Sequence, residues 1–218
     1  GELNSYLVEI AGNILGFMDD DGSPMLEKIL DSAGQKGTGK WTAIQALEFG
    51  SPVTLIGEAV FARFLSSLID ERQKAAGILK SSATSTFTGD KKAFIGDLGQ
   101  AMLASKIISY AQGFMLMREA SKEYNWQLNY GGIALMWRSG CIIRSVFLDR
   151  IKAAFDRDSN LENILLDPWF KAIIQEGEAA WRRVVSTAAL VGIPLPAMSS
   201  ALAFFDGYRS ARLPANML

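Results

Sequence analysis

Hydrophobic positions recur at helical spacing along most of this chain. Leu3, Leu7 and Ile10 mark one apolar face of an opening helix, which the Asp/Gly turn ends near residue 20. The same periodicity predicts further helices over about 51–79, 90–122, 133–155, 167–190 and 196–212. Alternation of apolar and polar residues, which indicates a half-buried strand, is hard to find. The pattern therefore predicts an all-α fold.

Several helix boundaries carry their own signals. Ser51 is a good N-cap, and Pro52 suits the first helical position of the helix that follows it. The polar stretch 80–86 is the best loop candidate, and Asp90 can cap the next helix. The stretch 133–155 is apolar nearly all round, so we expect it at the centre of the bundle.

Similar residues also recur at an offset of 140 to 142. The pairs are Trp41 and Trp181, Gly50 and Gly192, Pro52 and Pro194, and Leu7 and Leu148. This agreement predicts a duplicated helical unit, and hence one domain over 1–218 made of two related halves. The chain opens at Gly1 on an amphipathic helix with no cap or lead-in. We therefore expect this helix to continue upstream in a longer protein.

Composition narrows the function. The 218 residues carry a net charge of -1, whereas a nucleic-acid surface calls for a strongly basic face, so we expect no nucleic-acid partner. Charges such as Lys106 and Arg118 break the apolar runs before a membrane span is reached, so we expect no membrane partner. The one cysteine, Cys141, lies in an apolar stretch and is expected in the core. With no signal peptide, this composition favours the cytoplasm.

The chain contains no histidine. A Ser/His/Asp triad, a Cys/His pair and most transition-metal sites are therefore excluded within it. The acidic turn 19–22 resembles the start of a calcium loop, but Pro24 stands where a loop begun at Asp19 needs glycine. We expect no metal site in this chain, and any acid–base chemistry within it must use Lys, Tyr, Asp or Glu.

The run from Gly34 to Trp41 has the letters of a phosphate-binding P-loop. Trp41, however, stands where that loop needs a Ser or Thr hydroxyl for Mg²⁺, and residues 25–33 lack a buried β-branched strand. What remains is a set of glycines beside Lys36, Thr38 and Lys40, which suits an anion. From local pattern alone, a helix C-cap at Gly34 followed by a tight loop is an equal alternative.

Three stretches of the chain, 29–41, 52–63 and 129–138, resemble the signature of the 6-phosphogluconate dehydrogenases, the decarboxylating enzymes of the pentose phosphate pathway. Essentially the whole chain is similar to that family's C-terminal helical domain. The resemblance implies an all-α fold of duplicated units and a homodimer. It also implies 6-phosphogluconate as substrate, whose phosphate would be held by Lys36, Thr38 and Arg63.

The resemblance also implies what this chain does not contain. NADP is bound by the family's N-terminal Rossmann domain, and no G-x-G-x-x-G turn opens a strand–helix unit here. The family's catalytic lysine and glutamate would lie upstream of Gly1, and its C-terminal tail would lie beyond Leu218. The resemblance therefore implies a domain over 1–218 that is truncated at both ends and carries no catalytic residue. The whole enzyme converts 6-phosphogluconate and NADP to ribulose 5-phosphate, CO₂ and NADPH, and we expect this chain alone to be inactive.

Two alternatives stay open. The chain could be a helical dimerisation or regulatory module whose anion loop is an unused remnant. Without the resemblance, Arg63 would be assigned to an ion pair with Glu58 or Asp70 on or near its own helix. Three further side chains near conspicuous motifs are expected to be structural. Trp41 is expected to pack onto the core rather than to touch a ligand. Arg138 and Arg144 are expected to have structural partners.

Overall fold

The computed structural model describes residues 1–83 and 86–217 and confirms the all-α fold. These ranges contain nine α-helices: α1 (Tyr6–Gly16), α2 (Thr38–Glu48), α3 (Thr54–Ser67), α4 (Ile69–Ile78), α5 (Lys91–Glu123), α6 (Tyr130–Met136), α7 (Leu148–Arg157), α8 (Pro168–Leu190) and α9 (Pro196–Tyr208). Short 3-10 helices span Met25–Lys28, Ile164–Leu166 and Pro214–Met217. In the described ranges the only β pairing is two isolated bridges. Thr84 and Ser85 of the predicted loop lie outside the described residues.

The main core is formed by residues from Ala101 onward. The 33-residue helix α5 packs along α8 and α9, and the largest fully buried side chains are Trp181, Phe147 and Phe170. Asp90 caps α5 as predicted, since its carboxylate accepts the backbone N–H groups of Lys92 and Ala93 at 2.8 and 3.2 Å. Helix α5 is thus the central helix of the domain.

The order of elements fits the predicted repeat. Helix α1 begins at Tyr6 and α7 at Leu148; α2 ends at Glu48 and α8 at Leu190; α3 begins at Thr54 and α9 at Pro196. Each pair differs by 142 residues, and α3 packs against α9. The sequence order α1, 3-10 helix, α2, α3 therefore recurs as α7, 3-10 helix, α8, α9.

The two glycines of the repeat have the same structural role. Gly50 and Gly192 have positive φ angles of 63° and 75°, and each ends a helix in a Schellman turn. The N–H of the following residue donates to a carbonyl five residues back at 2.8 Å in both turns, Ser51 to Ala46 and Ile193 to Ala188. The tryptophan pair is not equivalent: Trp41 is 63% exposed and Trp181 fully buried, and its offset of 140 is out of register.

The helix predicted over 51–79 is wrong at its start and in its middle. Gln112, fully buried on α5, caps the first turn of α3: its amide oxygen accepts the Leu55 N–H at 3.0 Å and its amide nitrogen donates to Thr54 Oγ1 at 2.9 Å. The helix therefore begins at Thr54 rather than at Pro52. It ends at Ser67, and the chain bends at Leu68 before α4.

The central helix predicted over 133–155 is also wrong. Helix α6 ends at Met136 and α7 begins at Leu148. Between them Gly140 takes a φ of 67°, and Ser145 forms an antiparallel bridge with Ser5. The backbone here pairs with the start of the chain, so tertiary contacts replace the helix that local pattern favoured. Cys141 lies in this segment and is partly exposed rather than buried in the core.

The first half of the chain leaves much apolar surface uncovered. The accessible surface is 14100 Å², against roughly 9900 Å² for a compact monomer of this mass. Large exposed side chains in this half include Leu30, Trp41, Leu47 and Phe61. Such an excess is typical of a chain that buries surface against another polypeptide or domain.

Candidate functional site

The glycine-rich run begins a helix that the sequence pattern did not predict. Gly37, with a φ of 113°, is the N-cap of α2, and Thr38 is its first residue. The backbone of α2 lies against α3 at Gly39, where a Cβ would come within 2.8 Å of Val60 Cγ2. Backbone geometry thus requires glycine at position 37, and close packing requires glycine at position 39.

The geometry excludes both earlier alternatives for this run. A 3-10 helix, Met25–Lys28, precedes it instead of the buried strand that a P-loop needs. Gly34 is not a helix C-cap, because that 3-10 helix has ended six residues earlier. The run is therefore an irregular segment that leads into a helix N-terminus.

Helix α3 holds the irregular segment through side chains. Arg63 Nε donates to the carbonyl of Gly34 at 2.6 Å. The N–H of Ala33 donates to Ser66 Oγ at 2.9 Å, and that hydroxyl donates to the Arg63 carbonyl at 2.7 Å. The segment that carries Lys36 is thereby fixed beside the helix that carries Arg63.

These contacts place the segment before α2, which contains Lys36, beside Arg63 of α3. Arg63 touches Gly34, two residues before Lys36, and lies three residues after Val60, on the face of α3 that meets the start of α2. Lys36, Thr38 and Arg63 are all exposed at this junction. We call the junction of these three residues with the first turn of α2 the α2 anion site. Its role in binding stays a prediction.

The cations at the α2 anion site are not neutralised. Within residues 1–83 and 86–217, neither Lys36, Lys40 nor Arg63 forms an ion pair, and the pair proposed between Arg63 and Glu58 or Asp70 is not formed. Among the side chains that the structure describes, none caps the first N–H groups of α2 either. A helix N-terminus with free donors and unpaired cations is suited to a phosphate.

Most other basic side chains at conspicuous positions do have structural partners. Arg138 pairs with Asp149 at 2.9 Å and Arg144 with Glu9 at 3.0 Å, as predicted, although both arginines lie in the irregular segment between α6 and α7. The carboxylates of the acidic turn at residues 19–21 bind Lys28, which holds the pKa of Asp21 down at about 2. These charged side chains are therefore paired with one another within the folded chain.

The prediction that Trp41 packs onto the core is wrong. Its side chain is 63% exposed, and its ring lies 3.9 Å from the point where a Gly37 Cβ would stand. The ring thus covers the N-terminal turn of its own helix. Only knowledge that residues 38–48 form a helix would have placed it there.

Neither of two clefts on the described surface is lined by Lys36, Thr38 or Arg63, although both are lined by later residues of α2. One, of about 700 Å³, lies between α1, α5 and the segment before α7, and its walls are mostly apolar. Lys106 lines it and donates to Ser145 Oγ at 2.9 Å, and burial lowers the pKa of this amine to about 8. The other, of about 670 Å³, adjoins Phe49 and Tyr124. Lys36, Thr38 and Arg63 are exposed on an open surface instead.

The described residues do not fit a dinucleotide site or a metal site. A Rossmann unit needs parallel strands, and residues 1–83 and 86–217 contain none. In the same ranges, His, Cys, Asp and Glu do not gather in threes as a metal site requires. No helix among the described residues has the length and hydropathy to cross a bilayer.

Comparison with known proteins identifies relatives. The family model described as "6-phosphogluconate dehydrogenase, C-terminal domain" matches residues 1–218. The chain is 62% identical over 217 residues to the "6-phosphogluconate dehydrogenase, decarboxylating" of Ovis aries, and 63% identical over 218 residues to that of Schizosaccharomyces pombe. It covers 45% and 44% of those proteins, while they match 100% of this chain.

A solved structure is similar over the whole chain. It is described as Plasmodium falciparum 6-phosphogluconate dehydrogenase in its apo form, in complex with its cofactor NADP⁺ and in complex with its substrate 6-phosphogluconate. The TM-score is 0.94 at 43% identity, and the match covers 100% of this chain and 47% of that one. The chain thus spans about half the length of the relatives it matches. It belongs to the 6-phosphogluconate dehydrogenase family, and its residues correspond to the C-terminal domain.

Proposed function

We propose that this chain is the substrate-binding and dimerising domain of an NADP-dependent, decarboxylating 6-phosphogluconate dehydrogenase. The observation that carries the proposal is the α2 anion site, where Lys36, Thr38 and Arg63 are exposed around a helix N-terminus and form no ion pair with any described carboxylate. In this role the chain binds the phosphate of 6-phosphogluconate. The enzyme oxidises that substrate with NADP and releases CO₂, giving ribulose 5-phosphate.

The proposed site matches the chemistry of a phosphate dianion. The guanidinium of Arg63 supplies directional donors, the ammonium of Lys36 supplies a point charge, and the hydroxyl of Thr38 can donate a hydrogen bond. The Nε of Arg63 is used by Gly34, which orients the guanidinium and leaves its two terminal nitrogens for a ligand. Phosphate lies at the end of the substrate remote from oxidation, so these residues serve binding rather than chemistry.

NADP belongs to the proposed enzyme but not to the residues described here. The solved relative carries NADP⁺ as its cofactor, whereas this chain offers helices and no nucleotide-binding turn. We therefore assign no residue of this chain to the cofactor. The acid–base groups of the reaction are likewise assigned to the remainder of the enzyme.

We also propose a homodimer formed largely by this domain, located in the cytoplasm. The accessible surface exceeds that of a compact monomer by roughly 4000 Å², several times the 800 Å² or so that each partner gives to a standard interface. Much of the exposed area is apolar, as in Leu30, Leu47 and Phe61. The cytoplasmic location rests on the single cysteine, which forms no disulfide within the chain.

Calorimetric titration with 6-phosphogluconate and with gluconate tests the proposed site. We expect 6-phosphogluconate to bind more tightly than gluconate, since only the former carries the phosphate. Lys36→Ala and Arg63→Ala should each weaken 6-phosphogluconate binding at least about tenfold, the value of a hydrogen bond to a charged group. Both should leave the weak binding of gluconate unchanged.

Lys171→Ala is the matched control, because Lys171 is an exposed lysine on α8, remote in sequence from the site. It should bind 6-phosphogluconate like the unmodified protein. Equal affinity for the two ligands, or no loss in either site variant, would refute the phosphate role. The chain would then be a helical dimerisation or regulatory module with a vestigial loop.

A further inference from the structure

We propose that Arg72 is a positioning residue for the α2 anion site. It fixes the segment 30–36, and so sets where Lys36 stands relative to Arg63. This inference rests on the function proposed above. Arg72 itself lies on α4, outside the residues assigned to phosphate binding.

The segment needs such a residue because it has no regular structure of its own. Within the described part of the chain, residues 30–36 make no backbone–backbone hydrogen bond. The segment is held by three side chains instead: Arg63 at Gly34, Ser66 at Ala33 and Arg72 at Asp31. Removing any one of them frees a part of a short loop that otherwise has several accessible conformations.

Arg72 joins the segment to the end of α3. Its Nη2 donates to Asp31 Oδ2 at 2.6 Å, and its Nη1 donates to the Ser66 carbonyl at 2.9 Å. That carbonyl belongs to the last turn of α3, where the bend at Leu68 ends the helical hydrogen bonding. One guanidinium thus satisfies a helix end and anchors the loop at the same time.

Ser66 connects this anchor to the phosphate-binding arginine. Its carbonyl accepts from Arg72, and its hydroxyl bridges the Ala33 N–H and the Arg63 carbonyl. Arg72 is therefore linked to the α2 anion site by two sets of direct contacts. One joins it to Asp31 of the segment 30–36, and the other joins it through Ser66 to Arg63. The guanidinium of Arg72 also holds the pKa of the Asp31 carboxyl below its usual value.

The expected effect is modest because the ion pair is exposed. Asp31 keeps 67% of its side-chain surface in solvent, and pairs of this kind contribute little free energy. We expect Arg72→Gln to weaken 6-phosphogluconate binding about twofold to fivefold, less than the loss of Lys36 or Arg63. The binding of gluconate, which has no phosphate to place, should not change.

A double-mutant cycle gives the test. Arg72→Gln, Asp31→Asn and the double variant are titrated with 6-phosphogluconate by calorimetry, with Arg72→Lys as the conservative variant and Lys74→Ala on the same helix as the control. Non-additive losses are expected, since both changes break one contact. Hydrogen exchange of the Ala33 amide should quicken in Arg72→Gln, while Lys74→Ala leaves both readouts unchanged and Arg72→Lys recovers part of the affinity.

The outcomes separate this inference from the function on which it rests. If Lys36→Ala and Arg63→Ala weaken binding but Arg72→Gln does not, the positioning role is refuted and the proposed function stands. If Arg72→Gln weakens 6-phosphogluconate and gluconate binding equally, Arg72 is a general structural residue and the inference is again refuted. If Lys36→Ala and Arg63→Ala have no effect, both proposals fail.

Discussion

At Gly39 the backbone of α2 meets the side chain of Val60 on α3, and the α2 anion site depends on that approach. Gly39→Ala would put a methyl group within 2.8 Å of Val60 Cγ2, so the two helices must move apart. We expect a net loss of about 1–3 kcal/mol in the free energy of unfolding, because overpacking outweighs the better helix propensity of alanine. Binding of 6-phosphogluconate should fall as well, since Thr38 moves with α2.

Val60→Ala supplies the control for that change. The double variant Gly39→Ala/Val60→Ala restores the space, so its 6-phosphogluconate affinity should exceed that of Gly39→Ala alone. Urea unfolding and calorimetric titration measure the two effects. Additive losses in the double variant would show that the clash is not what makes glycine necessary.

Lys106 gives the stability of the domain a pH dependence. Burial lowers the pKa of its amine from 10.5 to about 8, so the charged form destabilises the fold. The unfolded chain binds this proton more tightly, and stability should therefore rise with pH between about 8 and 10.5. Lys106→Met removes the cost, and we expect a gain of about 1 kcal/mol at pH 7 after allowance for solvent screening of a half-exposed amine.

Chemical denaturation at pH 7, 8, 9 and 10 measures the effect of Lys106. The advantage of Lys106→Met over the unmodified protein should shrink as the pH rises, while Lys171→Met, which replaces an exposed lysine, should show no such trend. A constant difference across this range would mean that the amine titrates at its ordinary pKa in the folded state.

At the scale of elements, Gln112 of α5 determines where α3 begins. It is fully buried, and both ends of its amide are used by Thr54 and Leu55. Gln112→Leu removes both bonds and leaves the half-buried Leu55 N–H without its acceptor, which should cost about 2–3 kcal/mol in urea unfolding. Thr54→Ala breaks only one of the two bonds and should cost about 1 kcal/mol. Similar losses in the two variants would show that the cap is not the main role of the amide.

The sequence predicts helices best where a local signal sets their ends. Asp90 and Asp167 cap α5 and α8 with side-chain bonds to the backbone, and both helices lie close to their expected ranges. It fails where the deciding partner is remote. Gln112 starts α3, and the strand-like bridge from Ser5 to Ser145 replaces part of the predicted central helix. Helical periodicity contains no information on either contact.

The anion site shows the same division. The resemblance predicts a phosphate-binding role for Lys36, Thr38 and Arg63, which stays a prediction, but the sequence pattern does not indicate that the glycine run begins a helix. That start depends on the positive φ of Gly37 and on the contact of Gly39 with α3, 21 residues further along at Val60. The contribution of Arg72 is invisible in the sequence for a similar reason, since its partner Asp31 lies 41 residues away.

At the scale of the whole molecule, the two related halves are unequally buried. Helices α5, α8 and α9 share one core, while α1 contributes no buried residue and α2 and α3 contribute one each. The first half therefore relies on other surfaces for part of its stability. We expect thermal unfolding monitored by hydrogen exchange to open α1 and α2 before α5.

The proposed homodimer is a prediction at this scale. Sedimentation velocity should give a mass twice the 23.8 kDa of one chain. Because the exposed area is rich in apolar side chains, the dimer should persist in 1 M NaCl, where the Debye length falls to about 3 Å and surface ion pairs are screened. A monomer at tens of micromolar protein would contradict the dimer, and dissociation in salt would show that ion pairs rather than apolar contacts hold it.

The central claim is that the N-terminus of α2 binds the phosphate of 6-phosphogluconate. A crystal structure of the protein soaked with 6-phosphogluconate tests it most directly, by the distances from the phosphate oxygens to Lys36 Nζ, Thr38 Oγ1 and the Arg63 guanidinium. We predict hydrogen-bond distances of roughly 2.7–3.2 Å to all three. A phosphate bound elsewhere on the domain, with the α2 anion site unchanged, would contradict the account.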